Sequence, residues 1–158
     1  MRERKGSVMA ATVVFAYDGS EDAQRAIAVA GELLGAHRAL IVHVRLLPVP
    51  QIVAAGEDEE PYTAFEQAQQ REVDRVSAEG VEAAVRAGFE AEAVVAAADS
   101  VAGVWGAVLD VASEREATVI VAGRRGISRV QSALMGSVSS GLINHAPISV
   151  LVVPRAKA

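Results

Sequence analysis

The sequence predicts one α/β domain, a five-stranded parallel sheet with helices on both faces. Three observations carry this reading. Short β-branched apolar runs alternate with amphipathic stretches of helical spacing. The junctions hold turn and capping residues, as in Asp18-Gly19-Ser20. The chain has 158 residues, enough for one domain to bury a core without staples.

Residues 12–17, Thr-Val-Val-Phe-Ala-Tyr, read as the first strand. Asp18-Gly19-Ser20 turns the chain, and Ser20 is a good helix N-cap. Glu21 and Asp22 suit the positive end of the helix that follows. Apolar residues at 23, 26, 27, 30, 33 and 34 form one face, and Gly35 ends the helix. Residues 39–44 are the second strand. A connection over 45–61 holds Pro48, Pro50 and Gly56, which oppose regular structure. Pro61 suits a helix start. The helix then runs over 62–87, with apolar positions Phe65, Val73, Val76, Ala83, Ala84 and Ala87. Gly80 is expected to interrupt and bend it, and Gly88 to cap it. Phe89 to Ala96 is a third strand, diluted by Ala and Glu. Val104, Val108, Leu109 and Ala112 mark the next helix, on which Trp105 is expected to pack. Residues 118–122 form the fourth strand, 137–146 a short helix and 148–153 the fifth strand. Pro147 separates the last two. Residues 1–10 read as a disordered lead-in, with Met9 a second candidate start, and 11–155 as the domain.

Composition narrows the function. Hydrophobic residues make up 51% and aromatics 4%, so the core is aliphatic. The absence of cysteine excludes disulfides, thiol catalysis and cysteine metal sites. A net charge of −5 argues against general nucleic-acid binding. No apolar run reaches the ~18 residues of a membrane span. The charged N-terminus lacks the apolar stretch of a signal peptide, and the lack of cysteine fits a reducing cytoplasm, the expected location.

The most informative motif follows the fourth strand: Gly123-Arg124-Arg125-Gly126, nine residues, then Gly136-Ser137 at the start of a helix. Glycines let an anion approach backbone N–H groups, and a helix start adds donors and partial positive charge. Ser137 and Ser139 add hydroxyls; Arg124, Arg125 and Arg129 add charge. The lysine of a P-loop is missing, and the spacing is not that of the dinucleotide fingerprint. The three histidines, His37, His43 and His145, show no metal-ligand spacing. At the end of an apolar strand, His43 reads as a hydrogen-bonded structural residue. No nucleophile–base pair is evident, so no catalytic or metal residue is assigned.

The spacing G-x2-G-x9-G-[ST] resembles the nucleotide-binding branch of the universal stress protein family. The resemblance extends to Val13 through Ser20, to Leu40 through Val44, and to His145 through Pro154. It implies a Rossmann-like fold, similar to the adenine nucleotide alpha hydrolases, with strand order 3-2-1-4-5. Strands one and four would then flank the reversal of winding, where such sheets bind ligands. It also implies an ATP site. Gly126, Gly136, Ser137 and Ser139 would meet phosphates, with Gly123, Arg125 and Val138 beside them. Asp18 would accept from ribose or adenine. Ala16, Tyr17 and Val44 would border the base. Ala122 stands where the family often has a larger apolar residue, which lowers one wall. Mg2+ would ride on the phosphates. The family further implies a homodimer through the C-terminal strand, Ile148 to Val153. The functional reading is an ATP-binding regulatory protein; a slow ATPase and a nucleotide-free structural stress protein are the alternatives.

Overall fold

The computed structural model describes residues 11–35, 37–47, 60–125 and 136–156, with backbone alone at 60–63. The expected lead-in, Gly126, Arg129 and most of the 45–61 connection lie outside these residues.

The order is β1 (Thr12–Ala16), α1 (Glu21–Leu34), β2 (Arg38–Leu46), α2 (Glu60–Arg86), β3 (Glu90–Ala98), a 3-10 turn (Val101–Gly103), α3 (Val104–Glu114), β4 (Val119–Gly123), α4 (Ser137–His145) and β5 (Ser149–Val153). The strands form one sheet in the order β3-β2-β1-β4-β5. Every pairing is parallel. Winding reverses at β1, which lies between β2 and β4; Ala16 pairs with Val42 on one side and Ala122 on the other.

Alternation along the strands sends side chains to two cores. Val13, Phe15, Tyr17, Ile41 and Val121 face α1 and α2, joined by Ala26, Ile27, Val76 and Phe89. Phe15 and Phe89 meet edge to face at 5.3 Å. Val14, Leu40, Val42, Ile120 and Ala122 face α3 and α4, with Val108, Val111 and Leu142. Both faces of the central strands are therefore covered, which is why those strands read as unbroken apolar runs.

Ser20 caps α1 as expected, its hydroxyl accepting from Ala23 N–H at 3.2 Å. Four expectations need correction. Arg45 and Leu46 belong to β2 rather than to the connection, and β3 runs on to Ala98, because the two strands pair through Leu46↔Ala98. Leu33 and Phe65 are exposed, at 65% and 54%. Helix α2 passes unbroken through Gly80. A Cβ there would stand 2.6 Å from Ile41 Cγ2 and 2.8 Å from the Tyr17 ring, so glycine is present for close packing against β2. The Ala- and Glu-rich composition of β3 fits its place at a sheet edge. There Glu92 pairs with Arg38 at 2.9 Å and Arg115 at 3.0 Å, charges that discourage further strand addition.

Trp105 packs as expected. Its indole lies across Gly141 of α4, leaving no room there for a Cβ, and stacks on His145 with centroids 4.2 Å apart.

Candidate functional site

The carboxyl ends of β1, β2 and β4 open into a cavity of about 310 Å³ on the α3–α4 side of the sheet. Its walls include Ala16, Tyr17, Asp18, Val44, Ala122, Gly123, Arg125, Gly136, Ser137, Val138 and Ser139. These are all the described residues expected at the site; Gly126 lies outside the described residues. The turn after β1 and the loop after β4 are far apart in sequence, and the reversal of winding at β1 brings them together.

Each side of the cavity has a local cause. Asp18 is held by its own turn: Oδ1 accepts from Ser20 N–H at 3.0 Å. The capping role expected of a simple turn-forming Asp is thus present, and the same residue lines the cavity. Gly123 ends β4 where α1 begins; a Cβ would stand 2.7 Å from the Asp22 carbonyl, so only glycine lets the loop start this close to the helix. The two ends of the loop are tied together. Gly136 N–H donates to Arg124 O at 2.9 Å, and Ser139 Oγ donates to Arg124 O at 3.0 Å or to Gly136 O at 3.1 Å. Ser139 is buried and its hydroxyl turns back onto the loop, so it holds the loop rather than offering a donor to the cavity.

Gly136 is the N-cap of α4 and gives no side-chain hydrogen bond. The first-turn N–H groups of α4 have no intrahelical partners by helix geometry, and they carry the positive end of the helix dipole. Exposed Ser137 adds a hydroxyl there. Arg124 and Arg125 each hold a buried Nε with no hydrogen-bond partner among the described residues. This corner is built from donors and suits an anion.

The opposite wall is apolar. Sequence reasoning missed Leu46, Val101, Val104 and Val108, which complete it with Val42 and Val44. The usable signal was the position of Val101 and Val104 after a strand carboxyl end, where such sheets place ligands. His43 makes the hydrogen bond expected of it, its Nδ1 donating to Tyr17 O at 3.1 Å, and it also lines the cavity. Burial, reinforced by the Glu79 charge, pushes the Tyr17 hydroxyl up to about 12, so it stays protonated at neutral pH. The cavity thus joins an apolar slot, one carboxylate and a donor-rich corner. Among the described residues no group of three His, Asp or Glu could hold a metal, and no helix is long and apolar enough to cross a membrane.

Comparison with known proteins gives a consistent result. A sequence model of the universal stress protein family matches residues 9–154. A universal stress protein of Thermus aquaticus is 36% identical over 144 residues, covering 90% of this chain and 97% of that one. Two solved structures share the fold. A universal stress protein in complex with cAMP is 24% identical with a TM-score of 0.61, covering 93% of this chain and 98% of that one. A universal stress protein of Archaeoglobus fulgidus in complex with dAMP is 21% identical with a TM-score of 0.56, covering 90% and 96%.

Proposed function

The chain belongs to the universal stress protein family, and from that premise we propose that it is an ATP-binding regulatory module. The observation that carries this reading is the meeting of Asp18, the apolar slot and the α4 N-terminus around one cavity. The adenine would lie between Val44, Val104 and Ala16, with the ribose at Asp18. The phosphates would lie against the first turn of α4, with Arg125 offsetting their charge. The volume falls within the range of small-molecule sites. The fold-sharing proteins with cAMP and dAMP support an adenine nucleotide as the ligand class. Mg2+ would be carried by the phosphates, a common arrangement for that ion.

Calorimetry should show heat of binding when ATP and magnesium are titrated into the protein. No heat under those conditions would end this reading. A sensitive phosphate-release assay then separates a binder from a slow ATPase.

We also propose a homodimer through β5 and its approach, Ile148 to Val153. The strand is a sheet edge, apolar and β-branched, with Val150, Leu151 and Val152 only partly covered. Sedimentation at micromolar concentrations should show twice the chain mass; a monomer there would contradict it.

A further inference from the structure

Asp22 lies in the first turn of α1 and is 5% exposed. Its Oδ1 stands 3.3 Å from Arg155 Nε, while Oδ2 is buried and has no hydrogen-bond partner among the described residues. The residue backs directly onto Gly123, since a Cβ there would be 2.9 Å from the Asp22 Cβ. Beyond Gly123, the Arg124 N–H donates to Val153 O at 2.9 Å, and Arg124 O receives the Gly136 and Ser139 bonds described above. A half-partnered carboxylate therefore stands directly behind Gly123, which lines the cavity beside Arg125 and Gly136.

The counter-charge comes from the end of the chain. Arg155 follows β5 and reaches back to α1, with Glu21 at 3.9 Å as well as Asp22. Arg25 Nε donates to Pro154 O at 3.1 Å and holds the same segment on α1. This segment supplies positive charge at the point where a lone carboxylate would repel a phosphate.

We propose that Asp22 and Arg155 are a charge-balancing pair that sets the affinity of the loop for polyphosphate, with Arg155 acting as a positioning residue through Asp22. The inference rests on the nucleotide reading above. It differs from a purely structural tie between tail and helix in the sign of its effects. Removing Arg155 exposes the loop to the carboxylate and weakens anion binding. Removing the Asp22 charge leaves Arg155 in place and strengthens it. A structural tie weakens binding in both cases.

The test is calorimetry of ATP and of adenosine at low salt. The proteins are wild type, Arg155→Gln, Asp22→Asn and the double variant. For ATP, Arg155→Gln should bind about three- to tenfold more weakly and Asp22→Asn about two- to fivefold more tightly. The double variant should return to within about twofold of wild type, because the two effects share one charge pair. Adenosine, which is uncharged, should bind all four alike. Weaker ATP binding by Asp22→Asn, or equal losses for ATP and adenosine, overturns the proposal. If Arg155→Gln does not fold, the sign for Asp22→Asn decides alone. Wild type binding ATP with all four proteins alike removes only the charge pair; wild type taking up no ATP removes the nucleotide reading with it.

Discussion

A Gly136→Val variant should lose ATP binding by more than about 100-fold, roughly 2.7 kcal/mol, while keeping its fold. Gly136 has φ −69 and ψ 159, a conformation open to any residue, so valine adds no backbone strain. Its Cβ would stand 3.3 Å from Arg124 O and 3.5 Å from Arg125 Cα. The added methyls would occupy the notch between the loop end and the first turn of α4, where the proposed site places the phosphates. The cost to folding is smaller. Valine is a poorer N-cap than glycine by roughly 1 kcal/mol, and the Arg124 carbonyl must give by a few tenths of an ångström. Circular dichroism and a thermal melt should therefore show a folded, slightly less stable protein, and calorimetry should show no ATP uptake. Affinity within about tenfold of wild type would move the phosphates away from this corner.

Asp18→Asn should weaken ATP binding by at least about tenfold with nearly unchanged melting of the ligand-free protein. A carboxylate presents about four lone-pair directions, and the Ser20 N–H takes one of them. Asparagine keeps an acceptor for that turn bond, so the turn survives. It also replaces one acceptor oxygen with a donor, which faces a ribose hydroxyl or an adenine amine less favourably. Losing a hydrogen bond to a charged group costs roughly 1.5–3 kcal/mol. Inorganic triphosphate lacks the nucleoside and should bind both proteins alike. Equal ATP affinities would confine Asp18 to its turn.

The parts of the site that were legible in the sequence are those set by local chemistry. Ser20 announces a helix start by its hydroxyl, and Gly123 and Gly136-Ser137 announce a strand end and a helix start that both line the cavity. The apolar wall was less legible. Val101 and Val104 follow a strand whose Ala93, Ala96 and Ala97 have little β propensity, so β3 read as shorter than it is. An edge strand is paired on one side only and need not bury both faces, which is why such a composition is tolerated there. Gly80 read as a helix breaker because local propensity carries no information about Ile41 and Tyr17, the neighbours that require it. Strand order was likewise invisible to periodicity, which describes each element alone; the family resemblance supplied it.

The stacking of Trp105 on His145 has a practical consequence. The chain holds one tryptophan, so red-edge emission comes from this indole alone. The ring bridges α3 and α4, lying over Gly141 and against the imidazole, whose Nδ1 donates to Gly141 O at 2.9 Å. A shift of α4 by a fraction of its diameter would change both the solvent at the indole and its contact with the imidazole, and so the colour and yield of emission. The other end of α4 lines the cavity at the strand ends. The protein thus carries its own optical label on α3, against α4, and a ligand that shifts α4 can be followed by tryptophan fluorescence, without dye, tag or added mutation.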